Sequence, residues 1–349
     1  MNNLQGVRRL SKSLSSLFFL LFIFLISLSW GSSLQAAERG KLIGGVPHAA
    51  PDWFKESFLD ISEDVEEASA ENRHVMLFFQ LNDCPYCDRM LTESFEAEPL
   101  QGYIREHFDV IAVNVRGDRE IAFNEEISVL EKELAEHLQV RATPAIMFLD
   151  SENNSVVRVD GYRAPKRFQH ILNYVSSKGY EKRSLSEHLD KHLERNIYQL
   201  RDNPLFTNIT DLSAVAGPLM LVFEDGSCYD CDEFHEKLLA HQDVQTEIKP
   251  YTVVRLDTDT DTEIVDPAGN KTTAKALADE LKMTYRPGVV IYDEGKLVRR
   301  SDSLLYSFHF KEGLRYIAGG HYKKEDYRSY SQRRREELLA AGVTINLAE

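Results

Sequence analysis

The chain has 349 residues, 43% of them apolar and 28% charged, with a formal net charge of −15. Two domains of about 100–200 residues each suit that length. The acidic balance excludes a general nucleic-acid binder, which needs a basic surface against phosphate; its plain consequence is solubility.

Arg8, Arg9 and Lys12 open the chain without an acidic residue, and the apolar run Leu17 to Leu28 follows. Gly31, Ser32, Ser33 and the small pair Ala36-Ala37 come next. That order is the signature of a secretory signal peptide. Cleavage is expected near Ala36 or Ala37, so residues 1–36 are set apart as a leader. The dense apolar core is shorter than the roughly 20 residues that span a bilayer. Counted from Leu14 to Trp30 it comes close, which leaves an uncleaved membrane anchor as the alternative.

The first unit, 37–183, begins with helical patterning from Asp60 to Arg73, then a buried strand, "VMLFF" (75–79). The motif "CPYC" (Cys84 to Cys87) opens a helix in which Cys87, Met90, Leu91 and Phe95 keep helical spacing. A second strand is expected over Asp109–Val115, and a helix from Lys132 towards Pro144. Pro144 opens a third strand, a turn at "DSENNS" leads to a fourth, and an amphipathic helix closes the unit. Residues 184–205 are expected as a helical linker. The second unit, 206–349, repeats the order and ends in a charged helical tail, Tyr322 to Ala341. Strands alternating with helices, then a late hairpin, point to an α/β fold with a mixed sheet in each unit.

The repetition is explicit. "VMLFFQLNDCPYC" (75–87) lies over "LMLVFEDGSCYDC" (219–231) at an offset of 144. "KELAEHLQVRATP" (132–144) lies over "KALADELKMTYRP" (275–287) at 143, and "RFQHILNYVSSKGY" (167–180) over "HFKEGLRYIAGGHY" (309–322) at 142. Three blocks in one order at nearly constant offset define a tandem of two related domains.

The four cysteines, Cys84, Cys87, Cys228 and Cys231, form two C-x-x-C pairs. Alone, such a pair permits a metal site, a structural bridge or redox exchange. Local bridges close tiny loops and add little stability. A shared zinc site is disfavoured, because the pairs lie about 140 residues apart where zinc ribbons use roughly 15–20. Redox exchange has a local rationale. A thiolate attacks a disulfide, and a helix N-terminus favours negative charge. Cys84 is therefore the expected nucleophile, with a lowered pKa. Pro85 suits the first helical turn, and Cys87, one turn on, is placed to resolve the mixed disulfide.

C-x-x-C at a strand-to-helix junction, followed after about 60 residues by an X-Pro that opens a strand, resembles the thioredoxin fold. "CPYC", "NVRGDRE", "LAEHLQVRATPAIMFLD" and "DGYRAP" together resemble the SoxW-type exported bacterial thioredoxins. The second unit follows the general thioredoxin pattern more loosely. The resemblance implies a periplasmic or otherwise exported thiol–disulfide oxidoreductase of reductase type, needing no cofactor or metal. Its implied partners are protein disulfides or dithiols and a membrane electron donor or acceptor. It also implies that Thr143-Pro144 faces the motif through a cis bond and, with Pro85 and Tyr86, binds substrate. Cys228, Cys231, Arg286 and Pro287 form the parallel site. A disulfide isomerase or chaperone, and an interaction module with a static second pair, are the alternatives.

Three departures from that family stand out. Asp83 and Ser227 replace the tryptophan frequent before the first cysteine, and Phe78 and Val222 replace a buried acid six residues before it. Asp230, between the second pair of cysteines, disfavours a nearby thiolate, and Arg286 is expected to offset it. His188 and His192 share a helix face and are read as surface residues.

Overall fold

The computed structural model describes residues 38–349. The leader expected over 1–36, and Ala37 after it, lie outside the described residues. Gly40–Glu349 forms one compact body.

Helix α1 (Ile61–Ala70) starts where Asp60 accepts a hydrogen bond from the Glu63 N–H, satisfying one of the donors left open at a helix start. Then follow β2 (His74–Gln80), α2 (Pro85–Met90), α3 (Leu100–His107) and β3 (Phe108–Asn114). The hairpin β4 (Glu120–Asn124) and β5 (Ile127–Leu130) precedes α4 (Glu131–His137), β6 (Ala145–Leu149), β7 (Ser155–Asp160) and α5 (Pro165–Ser176). The sheet order is β3-β2-β6-β7, with β2 parallel to β3 and antiparallel to β6.

Residues 75–79 of β2 are uninterruptedly apolar because both faces of the strand are covered. Met76 and Phe78 face one core with Met90, Phe95 and Phe168. Val75, Leu77 and Phe79 face the other, under α1 and α4.

The second unit repeats this plan. Its sheet runs β9 (Thr252–Asp257), β8 (Leu219–Glu224), β12 (Gly288–Asp293), β13 (Lys296–Ser301), with the same parallel and antiparallel neighbours. Around it lie α7 (Cys231–Glu233), α8 (Gln242–Glu247), α9 (Ala274–Glu280) and α10 (Ser307–Ala318), and the hairpin β10 (Glu263–Val265) and β11 (Lys271–Thr273). In both units a π-helical turn continues the C-x-x-C helix, over Leu91–Phe95 and Phe234–Leu239.

The structure departs from expectation in three places. The hairpins β4–β5 and β10–β11 and the helix α3 were not assigned from the pattern; β4 buries only alternate residues and is too short to signal itself. The helix expected to run to Pro144 stops at His137, where Gln139 turns to φ 54°, and Lys282 turns to φ 52° at the equivalent place in the second unit. The linker is helical only over α6 (Leu185–His192), held at its start by reciprocal Ser184–Glu187 bonds. Beyond it the N–H groups of Ile197 and Tyr198 donate instead to Gly226 O, at 2.9 and 3.2 Å. Gly226 is needed there because a Cβ would sit 2.0 Å from Arg195 O. The charged tail is helical as expected, over α11 (Tyr327–Ala340), and it docks on α10, where Tyr330 Oη donates to buried Glu312 at 3.0 Å. The segment after it, β14 (Ile345–Asn346), pairs with β1 (Leu42–Ile43) near the other end of the chain.

Candidate functional site: two disulfide centres

Cys84 caps α2 in an extended conformation, and its Sγ accepts the Cys87 N–H at 3.1 Å. Thr143 Oγ1 donates to the same sulfur at 3.3 Å. The two cysteines are joined as a disulfide, and the Thr143–Pro144 bond is cis. The sulfur therefore already faces two donors, one from its own helix and one from the loop that opens β6. Cys87 is fully buried, whereas Cys84 keeps 7% of its surface. Asp83, Arg141 and Ala142 beside it are exposed, and Pro85 and Thr143 half-buried. One edge of this centre is open.

The other edge is closed by the second unit. Tyr86, expected at the substrate edge, is instead buried in the interface, stacked on Tyr306 at 4.0 Å and 18° and on Tyr162 at 6.3 Å. Burial pushes its phenol up, and the neighbouring Tyr306 adds to this. Arg89 lies over the Tyr162 ring at 4.1 Å and bonds Glu233 at 3.1 Å. Arg163 lies over Tyr285 at 4.6 Å, and Arg167 Nε donates to Thr284 O at 3.1 Å. Gly161, at φ 84°, lets Ser303 approach so closely that a Cβ would be 2.3 Å from the serine's own.

Cys228 and Cys231 form the second disulfide, with only 2% of Cys228 exposed and Cys231 fully buried. Tyr198 and Leu200 of the linker pack on the pair. Between the cysteines, Tyr229 packs on the first unit's core, and Asp230 accepts the Tyr285 hydroxyl at 2.5 Å. Burial raises the Asp230 carboxyl, and the Tyr285 bond only partly offsets that.

Arg286 precedes a cis Pro287, matching Thr143-Pro144 in backbone but not in role. Its Nε donates to Asp225 at 2.9 Å. Arg195 and the Thr258 hydroxyl reach the same oxygen, Oδ2, at 3.2 and 2.6 Å, while Ser227 Oγ donates to Oδ1 at 2.5 Å. Burial pushes Asp225 up, but Arg286 and these donors outweigh it and hold the carboxyl well below its usual range. The Arg286 charge is thus matched by Asp225 and is not free to act on Cys228 as expected. Asp225, Tyr198, Tyr306 and the Arg89–Glu233 pair were not singled out from the sequence. The offset of 144 was the available signal for the last, since it superposes Arg89 on Glu233.

The fold and both sites define a protein of two α/β units, each carrying a C-x-x-C disulfide beside a cis-proline loop. A family model described as thioredoxin-like domain matches twice, over residues 61–176 and 207–318. The chain belongs to that family. Among solved structures it is similar to a thioredoxin-fold protein from Helicobacter pylori, at 26% identity over 34% of this chain and 79% of that one, TM-score 0.31. It is also similar to a thioredoxin from Thermus thermophilus, at 28% identity over 34% and 86%, TM-score 0.28. The oxidised C-terminal domain of DsbD from Neisseria meningitidis aligns at 13% identity over 34% and 88%, TM-score 0.24. No curated protein matches the chain.

Proposed function

We propose that this is an exported thiol–disulfide oxidoreductase that reduces disulfides of partner proteins at Cys84 and Cys87. The observation that carries the reading is the pair of donors on Cys84 Sγ, from Cys87 N and Thr143 Oγ1, beside an open edge. In the reduced protein the same donors favour a thiolate. That thiolate attacks a partner disulfide, forming a mixed disulfide and releasing one partner sulfur, which takes up a proton. Cys87 then attacks Cys84 Sγ and releases the second partner sulfur. Two electrons pass from the dithiol to the partner, and Cys84–Cys87 is left oxidised.

The reductase direction follows the SoxW-type resemblance of the first unit, and a membrane electron donor is its proposed source of electrons. Export is proposed from the signal-peptide pattern of the sequence at 1–36. In this reading Cys228–Cys231 is a second, slower centre that cycles when Tyr198 moves aside. Its burial also supports a static bridge as the second reading.

Trapping on Cys87→Ser tests the proposal. Mixed disulfides with exported proteins are expected on Cys84, and insulin reduction is lost with Cys84→Ser. A Cys84 that traps nothing and does not reduce insulin ends this reading. Unchanged turnover, potential and trapping with Cys228 and Cys231 both changed to Ser ends its two-centre part.

A further inference from the structure

Three strand ends meet beside Cys84. Strand β2 is parallel to β3 and antiparallel to β6, so the end of β2, the end of β3 and the start of β6 share one margin of the sheet. Cys84 follows the first. Arg116 lies two residues beyond the second, and Arg141 four residues before Ala145, which opens the third. Side-chain bonds hold these loops around the sulfur. Asn114 Nδ2 donates to Asn82 Oδ1 at 3.2 Å, and Asn114 Oδ1 accepts the Arg116 N–H at 3.0 Å. Thr143, two residues after Arg141, donates to Cys84 Sγ at 3.3 Å.

Arg116 and Arg141 are both exposed, and neither guanidinium has an ion pair or hydrogen-bond partner among the described residues. The cations near them are neutralised, Arg119 by Glu131 at 2.6 Å and Lys132 by Asp118 at 2.5 Å. The carboxylate next to Cys84, Asp83, lies against the segment before α1. A Cβ on Gly45 would be 3.1 Å from the Asp83 Cβ, and the His48 N–H donates to Asn82 O at 3.3 Å.

The second unit shows the same margin already occupied. Gln80 pairs with Asn114 and Glu224 with Asp257, so Asp259 takes the place of Arg116. Thr284, 143 residues after Arg141, takes the place of that arginine. Arg195 of the linker segment bonds Asp259 at 2.9 Å, and Arg167 of the first unit donates to Thr284 O at 3.1 Å. That margin carries a carboxylate and a carbonyl, and two arginines satisfy them. The margin at Cys84 carries the opposite charge, and its arginines are left without partners among the described residues.

We propose that the open edge at Cys84 selects disulfides in acidic polypeptide segments, whose carboxylates lie across Arg116 and Arg141 as the disulfide reaches the sulfur. The proposal rests on the reading that Cys84 reduces partner proteins. Exposed ion pairs add little to final affinity. Cations at the rim of a site act mainly on encounter and on its salt dependence. Asp83 offsets part of their effect. The net charge of −15 opposes an acidic partner, so overall charge alone predicts the reverse preference.

The test uses the reduced full chain and peptides that share one internal disulfide and differ only in their flanking residues, Glu, Gln or Lys. Reduction is followed by stopped flow at about 20 mM and about 500 mM salt, between which the Debye length falls from roughly 20 to roughly 4 Å. The rate remaining in Cys84→Ser is subtracted, which leaves the part due to this edge. At low salt the Glu-flanked peptide should react about fivefold faster than the Lys-flanked one, and at high salt less than about twofold faster. Arg116→Gln combined with Arg141→Gln should invert the low-salt order, and Asp83→Asn should widen it. Each readout is a ratio between peptides, so a change in the reactivity of Cys84 itself cancels. Rates in the unchanged protein that ignore the flanks, or that favour Lys, overturn the proposal and leave reduction at Cys84 standing. A preference for Glu that survives in the double variant arises elsewhere on the surface and overturns it equally. If no peptide is reduced, the reading beneath it fails, and the proposal with it.

Discussion

Arg89 Nη1 lies 3.1 Å from Glu233 Oε2, and the two residues stand 144 positions apart, the offset that superposes the two C-x-x-C motifs. Gly161 and Ser303, 142 apart, repeat the relation at the end of the late hairpin. Equivalent positions meeting each other is the mark of an isologous contact, the kind a two-fold dimer makes. Here both halves lie on one chain. The helices that carry the cysteines therefore pack against each other, with Tyr86 and Asp230 enclosed between the units.

That pairing predicts a measurable coupling. Both side chains are about a quarter exposed, so the ion pair is screened only in part. A double-mutant cycle with Arg89→Ala and Glu233→Ala should give about 0.5–1 kcal/mol of coupling in urea unfolding. Arg89→Ala alone should cost more than Glu233→Ala, because it also loses the stack on Tyr162. Strictly additive effects would show that the contact does not join the units in solution.

Thr143 supplies the donor to Cys84 that does not come from its own helix. Thr143→Ala removes it and leaves the backbone path to Pro144 in place. A hydrogen bond to a charged group contributes about 1.5–3 kcal/mol. Screening at the open edge lowers that, so the attack of reduced Cys84 on a small disulfide should slow about tenfold at pH 7. Stopped-flow thiol assays read this directly, and a rate within twofold of wild type would remove Thr143 from the reaction.

What the sequence made legible follows from what repeats. The strand-to-helix placement of each C-x-x-C, the proline pairs opening β6 and β12 and the two-unit order all rest on periodicity, which one chain displays twice. The interface has no such signature. Tyr86 reads as an exposed motif residue until Tyr306 is placed on it, and nothing in "LLYSF" (304–308) marks that ring as a cover. Arg286 illustrates the opposite error. Its position beside a cis proline was legible, but its charge belongs to Asp225, 61 residues earlier. Charge partners across a fold are not encoded in local spacing.

Tyr198 is the cover over the second pair. Replacing it by Ala should cost about 3 kcal/mol, in the range of large aromatic truncations. It should also speed reduction of Cys228–Cys231 by dithiothreitol at least tenfold, with Cys84–Cys87 unaffected. Peptide mapping after timed alkylation separates the two pairs. Equal reduction rates in the variant and the wild type would mean that the seal lies elsewhere.

Asp225 and Asp230 lie on either side of Cys228 and should respond to pH with opposite signs. Asp225 is held below the usual carboxylate range by Arg286 and its hydroxyl donors. Its contribution is therefore complete above the unfolded value of about 3.9 and is lost as acid drives the pH down through the folded value. Asp225→Asn should be destabilising at pH 7 by about 3 kcal/mol, since it leaves Arg286 and Arg195 facing an uncharged amide. The deficit should shrink as wild type itself loses the charge. Asp230 is raised by burial, so its favourable contribution belongs to the protonated form. It is present below the unfolded value and lost as pH rises through the folded one. Asp230→Asn keeps an oxygen for the Tyr285 hydroxyl and removes the buried charge. Relative to wild type it should therefore become more favourable from pH 3 to pH 7, by about 1 kcal/mol or more. Urea midpoints by circular dichroism across that range measure both, with the disulfides kept intact. Curves for the two variants that slope in the same direction would show that these carboxylates do not occupy the environments seen in the structure.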